Sequence, residues 1–256
     1  MRGPPVVEDA AMVSDKAALI TGGARGIARG IAVDLAARGW SVAICYRKSR
    51  DEAEQAVEAM TAAGGRAIAV QADVSDPVAS RALVQRVESE FGRVDALVNG
   101  AGPYHRVPLL EETTEGWRSM FDNNLHPVFD LAQACIPGMK ERGYGRILSF
   151  AMANADRVQA NPHVAAHFIA KMGILVLTRS LARVVTGHGI TVNAISPGFI
   201  DTKSAPDEEL QAVLPRIPAG RLGAIDDAVA AARYLLSDDA AYVSGANLVV
   251  SGGWGL

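Results

Sequence analysis

The stretch AAHFIAKMG sets His167 four residues before Lys171. On a helix that spacing puts both side chains on one face. A histidine with a reference pKa of ~6.5 can pass a proton near neutrality, although a neighbouring ammonium disfavours the charged ring. His163 stands a further four residues upstream, which invites a metal reading, but no carboxylate or cysteine accompanies the pair at suitable local spacing, so no metal site is expected. Two more candidate proton carriers, Tyr104 and His105, follow a glycine in GPYHRVP. Their plainer reading is a tyrosine packed on its loop and a solvated histidine.

These residues need a scaffold, and the chain supplies a rhythm for one. Short apolar runs at 16–21, 41–46, 66–71, 93–99, 145–150, 189–196 and 246–251 alternate with longer helical patterns. Most are continuously apolar, as strands covered on both faces must be. The helix from Gly26 is expected to stop at Gly39, and another to begin at Ser75 or Asp76, before Pro77, and stop at Gly92. Strand and helix alternating with right-handed crossovers give a single α/β domain over 15–256, a doubly wound and mainly parallel seven-stranded sheet with helices on both faces. Residues 1–14 read as a loose leader. The segment 201–221, with Pro206, Pro215 and Pro218, breaks the rhythm and reads as a substrate lid or binding loop.

After the first strand comes TGGARGIA, Thr21 to Ala28. Glycines there let the backbone turn tightly and approach a pyrophosphate, while the new helix offers free N–H groups. ADVSD follows the third strand, NGAG the fourth and SPGFIDT the sixth, so all gather at the carboxyl edge of the sheet.

On these motifs the chain, from about residue 15 to 256, resembles the short-chain dehydrogenase/reductase family, whose patterns are TGxxxGxG, an NNAG-like turn and a PG motif. The resemblance implies a Rossmann-type fold and a nicotinamide cofactor held by Gly22, Arg25, Gly26, Ile27, Tyr46, Arg47, Asp73, Val74, Asn99, Gly100, Ala101, Lys171, Pro197, Gly198, Ile200 and Thr202. Ala28 replaces the last glycine of the first motif and Gly100 the second asparagine of the turn; the methyl at 28 is expected to loosen helix–strand packing or narrow the approach. Tyr46 stands where members preferring NAD carry an acidic residue, and Arg25 and Arg47 can hold a 2′-phosphate. The expected cofactor is therefore NADP(H).

The family's catalytic group is Asn, Ser, Tyr and Lys. The resemblance places the asparagine at Asn124 and the lysine at Lys171, but Met152, or Ala151, at the serine and His167 at the tyrosine. Methionine gives no useful hydrogen bond to a developing oxyanion, and losing such a donor costs typically ~10²–10³ in rate. His167 is the expected acid and Tyr104 the reserve. Ser149 lies inside a strand run and is expected to be buried, while Asn154 on the following loop could meet a substrate. The expected activity is an NADPH-dependent reduction of a small carbonyl or activated C=C compound. Open beside it stand a non-redox cyclase, dehydratase or isomerase on the same scaffold and a catalytically silent cofactor-binding subunit.

A net charge of −3, with no run of like charges, offers nothing to attract nucleic acid. No apolar run approaches a membrane span. Cys45 and Cys135 lie far apart and outside any CxxC spacing, which suits a reducing cytoplasm. The resemblance also implies a homotetramer or dimer, built on helices around 114–140 and 163–187.

Overall fold

A computed structural model describes residues 15–202 and 212–255. The strands are β1 (Ala17–Thr21), β2 (Ser41–Tyr46), β3 (Ala67–Gln71), β4 (Ala96–Asn99), β5 (Gly145–Phe150), β6 (Ile190–Pro197) and β7 (Asn247–Val250). They form one sheet in the order β3-β2-β1-β4-β5-β6-β7, with every pairing parallel. The helices are α1 (Gly26–Ala37), α2 (Arg50–Ala62), α3 (Pro77–Phe91), α4 (Thr114–Asn124), α5 (His126–Arg142), α6 (Ala165–Val185) and α7 (Ile225–Leu236).

Successive strand residues point to opposite faces, and both faces are covered. Ala18 and Ile20 of β1, Val42 and Ile44 of β2 and Val98 of β4 pack with Ile31 and Leu35 of α1, Met60 of α2 and Leu235 of α7. The intervening Leu19, Ala43 and Leu97 pack with Leu83 of α3, Leu131 and Met139 of α5 and Val185 of α6. That division is why the strand runs are apolar throughout rather than alternating.

Helix ends follow local chemistry. The Asp76 carboxylate accepts from the Val78 amide at 2.8 Å, Pro77 opens α3, and Gly92 closes it in the left-handed region at φ 77°. Asp76 is thus the cap, and Ser75 turns instead to Asp73. The run expected from residue 93 starts its strand only at Ala96; just before it, the buried Asp95 carboxylate accepts from the Ala17 amide and from Arg93. Cys45 and Cys135 are both buried free thiols, their pKa raised by burial, Cys45 to about 12.

The leader lies outside the described residues, as do 203–211 of the expected lid. The rest of that segment is anchored: Ile217 is buried, and the Ala219 amide donates to the Gly252 carbonyl at 2.9 Å. No helix among the described residues is long and apolar enough to cross a membrane.

Gly30 lets α1 and α7 approach closely. A Cβ there would lie 2.7 Å from Ile225 Cγ2 and 2.9 Å from Val229 Cγ2. Gly30→Val should therefore destabilise the fold by about 1–3 kcal/mol, the usual cost of overpacking, read as a drop of several degrees in Tm.

Candidate functional site: a dinucleotide cleft and a buried lysine

β1 lies between β2 and β4, so the chain leaves β1 and β4 towards opposite faces and a crevice opens at their carboxyl ends. The cleft there holds about 370 Å³ and brings together Gly22, Arg25, Tyr46, Arg47, Asp73, Val74, Gly100 and Ala101. Gly22 sits at φ 67°, and a Cβ on it would come within 3.0 Å of Ala101 and of the Gly100 carbonyl. Only glycine turns this tightly while keeping the mouth open. Arg25 caps α1 without a side-chain hydrogen bond, so the amides of the first turn face the cleft region unserved by a side-chain cap.

The two departures from the family motifs touch each other. A Cβ on Gly100 would fall 2.8 Å from the Ala28 methyl and 2.7 Å from the Thr21 carbonyl. The methyl at 28 therefore occupies space that a side chain at 100 would need, and Ala28 itself is buried in the core on α1's face of the sheet.

Arg47 reaches across the cleft. Its guanidinium donates to Asn123 Oδ1 at 3.2 Å and lies 3.5 Å from Asp73 Oδ2. The Asp73 carboxyl sits below the usual range, held by the Ser75 hydroxyl and amide and then by Arg47. Arg25 is exposed, 3.9 Å from Glu52. Lys48 and Ser49 also line the cleft, which motif matching missed; the signal was the YRKS run itself.

Other expected cofactor residues stand further off. Asn99 is buried beneath the cleft and donates to Ser149 Oγ at 3.1 Å, so Ser149 is a buried strand residue already engaged. Ile27 packs half-buried against the core. Gly26 faces Thr202, and both line a groove beside the cleft with Arg25. At the end of β6, Pro197 accepts from Ala153, Gly198 donates to Val250, and Ile200 bridges to Gly223.

At the chemical end, Asn124 and Lys171 converge on Gly102. A Cβ on Gly102 would press against Asn124 Oδ1 and lie 3.5 Å from Lys171 Nζ. Asn124 donates through Nδ2 to the Pro103 and Met120 carbonyls, while its buried Oδ1 has no partner among the described residues. Lys171 Nζ donates to the Phe150 carbonyl at 2.9 Å, and burial pulls its pKa down to about 8. Gly102 was not singled out in the sequence because its role depends on α4 and α6 meeting there.

His167 is buried on the same helix face, with Nδ1 unpartnered and the Tyr104 ring edge-on at 5.0 Å. Burial, then the Lys171 ammonium, push its pKa down to about 4, against a weaker pull from the Pro103 carbonyl. The ring is thus neutral at pH 7, and the expectation of a histidine acid near neutrality changes accordingly. Tyr104 is mostly exposed. His105 is paired rather than solvated, its Nε2 2.7 Å from Glu112 Oε2. His163 is exposed. Met152 is half-buried against a small cluster containing Ala151 and Phe168. Asn154 holds φ 69° beside Gly255, and Trp254 stacks edge-on with Phe199 at 4.8 Å, so the chain's end lies along this side of the site.

A parallel sheet whose strand order reverses beside a glycine turn defines a dinucleotide-binding α/β protein. Residues 11–255 match the model of a family described as enoyl-(acyl carrier protein) reductase. The chain is 37% identical over 245 residues to the 3-oxoacyl-(acyl-carrier-protein) reductase FabG of Staphylococcus aureus, covering 94% of this chain and 99% of that protein. It is 36% identical over 241 residues to the same-named protein of Escherichia coli K12, covering 93% and 96%. Among solved structures it is similar to one described as a short-chain alcohol dehydrogenase from Sinorhizobium meliloti 1021 (TM-score 0.88, 31% identity, 95% of this chain and 98% of that one). Another, described as a gluconate dehydrogenase from Agrobacterium tumefaciens, has TM-score 0.87 and 32% identity over 95% and 97%. The chain belongs to the short-chain dehydrogenase/reductase family of oxidoreductases.

The contact between positions 28 and 100 can be tested by a double-mutant cycle. Gly100→Asn should weaken dinucleotide binding by roughly tenfold, equivalent to about 1.4 kcal/mol of strain. Adding Ala28→Gly should recover part of that loss, the Thr21 carbonyl remaining in the way; calorimetric titration of all four proteins gives the coupling.

Proposed function

We propose that this chain is an NADPH-dependent oxidoreductase with an atypical active site, reducing a small carbonyl or activated C=C compound in the cytoplasm. The observation that carries the reading is the position of Lys171. A buried ammonium beside the unpartnered Asn124 Oδ1, at the end of a glycine-turn cleft, is a costly arrangement that a silent scaffold does not require. The relatives' name, 3-oxoacyl reductase, and the family model's description, enoyl reductase, span the two kinds of acceptor.

The residues present fit the cofactor. Gly22, Gly100 and Ala101 leave room for a pyrophosphate, Asp73 and Val74 wall the adenosine side, and Arg25, Arg47 and Lys48 cluster where a 2′-phosphate would sit, with no acidic residue at Tyr46. Pro197, Gly198, Ile200 and Thr202, which follow β6 outside the cleft, would complete the far wall around the bound cofactor, and Lys171 would be the group for the ribose. Bound NADPH would supply the hydride. The chain's own part is to orient the substrate, to exclude water with Tyr104 and the tail at Trp254, and to deliver a proton from the group formed by Asn124, His167 and Lys171. Methionine at 152 and histidine at 167 favour one second reading, a non-redox enzyme such as a cyclase, dehydratase or isomerase with the nucleotide as part of the pocket wall.

A homo-oligomer, tetramer or dimer, completes the proposal. An apolar groove of about 910 Å³ lies between α5 and α6, where Phe129, Ile169 and Val176 are substantially exposed, and patches of this kind usually meet a partner. Free, buried cysteines with no disulfide suit the cytoplasmic assignment.

Calorimetry should give tighter binding of NADPH than of NADH; equal affinities would refute the cofactor assignment. Arg47→Asp should shift the ratio towards NADH by roughly tenfold or more, since one charge-assisted hydrogen bond is worth about 1.5–3 kcal/mol. Consumption of NADPH across a substrate panel separates the redox reading from the non-redox one. Light scattering at micromolar concentration should return a multiple of 26.9 kDa, and a single-chain mass would remove the oligomer.

A further inference from the structure

A reductase must protonate the oxygen or carbon that hydride transfer leaves negative, and two buried titratable groups stand one turn apart on α6 beside Gly102. His167 has lost its capacity to hold a proton near neutrality, because the ring is buried and the Lys171 ammonium repels its charge. Lys171 differs. Among the described residues only one of its three hydrogens is taken, by the Phe150 carbonyl from β5. From α4 the neutral Asn124 Oδ1 approaches it, from the loop after β4 comes the bare Gly102, and on its own helix stands neutral His167. His105, on that same loop, is engaged by Glu112 rather than by the lysine. No carboxylate shows an ion pair with Lys171 among the described residues.

Resting on the reductase reading above, we propose that Lys171 is itself the proton donor of this site and that His167 is a neutral positioning residue. The ammonium gives its proton to the substrate's carbonyl oxygen, forming the alcohol, and the hydride gained by the carbonyl carbon would come from bound NADPH. The amine left behind regains a proton from solvent. Two arrangements make this workable. The Phe150 carbonyl holds the amine in place without fixing its charge, as a carboxylate would. Burial without a counter-ion brings the amine near the working pH, where an acid transfers most effectively. Beyond that bond, Lys171 Nζ lies against the bare backbone of Gly102, 3.5 Å from where a Cβ there would stand.

The assignment makes a pH signature that a histidine donor cannot mimic. An acid must be protonated to act, so with Lys171 as donor kcat for a carbonyl substrate is level through pH 6–7.5 and falls tenfold per unit above about 8. With His167 as donor, the fall begins near pH 4 and is complete well below neutrality. Lys171→Ala should lose 10²–10⁴ in kcat, the usual worth of a general acid, and regain part of it when methylammonium is added. His167→Phe should lower the rate while leaving the fall near pH 8 in place. A profile that falls between pH 4 and 6.5 and is abolished by His167→Phe overturns the proposal, as does a Lys171→Ala enzyme that binds NADPH but is not rescued by amine.

Failure of the reductase reading is distinguished by nuclear magnetic resonance on the protein without substrate. A lysine ¹³Cε signal titrating near pH 8 and missing in Lys171→Met, with a histidine that stays neutral down to pH 5 and is missing in His167→Phe, supports the assignment of the mobile proton even if no carbonyl on the panel is reduced. A Lys171 signal titrating at 10 or above, or a His167 signal titrating above 6, overturns it.

Discussion

Two neighbouring strands, β1 and β4, send the chain to opposite faces of one parallel sheet. Between the diverging segments no connection can cross, and the opening sits at the carboxyl ends of both strands. Every functional group described here is positioned by that single geometric fact. The glycine turn after β1 forms one lip and the NGAG turn after β4 the other, and their backbones come so close that Gly22 and Gly100 admit no side chain. The segments that follow bring Arg47 from β2, Asn124 from α4 and Lys171 from α6 to the same edge.

Close approach also sets the electrostatics. The lysine amine and the histidine ring are withdrawn from water by α4, α6 and the loop carrying Pro103 and Tyr104, and their pKa values fall for the same reason, loss of hydration of the charged form. Both fall, yet from different starting points, so burial that silences the histidine brings the lysine into the useful range. The cleft beside the glycine turn has the opposite character. Its charges are exposed and paired across the mouth, Arg47 with Asp73 and Asn123, so they remain hydrated and can exchange partners when an anion arrives.

Much of this was legible in the residues. Strands covered on both faces leave an uninterrupted apolar run, which is why all seven were located to within a few residues. Pro77 and Gly92 marked the ends of α3 because each is dictated by backbone conformation alone. Contacts between distant segments were not legible. Nothing near Ala28 in the chain says that Gly100 will face its methyl, and nothing near Ser149 says that Asn99 will occupy its hydroxyl. The state of His167 was hidden for the same reason: its identity and its lysine neighbour were plain, but the extent of its burial depends on a loop some sixty positions earlier in the chain.

The two thiols turn this arrangement into an internal gauge. Cys45 lies at the end of β2, at the floor of the cleft and against the Ala72 carbonyl, while Cys135 is sealed between α5 and the sheet. Both are buried thiols whose pKa burial raises, so alkylation of each quickens when its surroundings part. Parting the β2 and β3 ends exposes the first without disturbing the second; only loss of the helical layer exposes both. The ratio of their labelling rates therefore measures how far a loosening of the nucleotide-facing edge is independent of global unfolding, with no probe added beyond the residues the chain already carries.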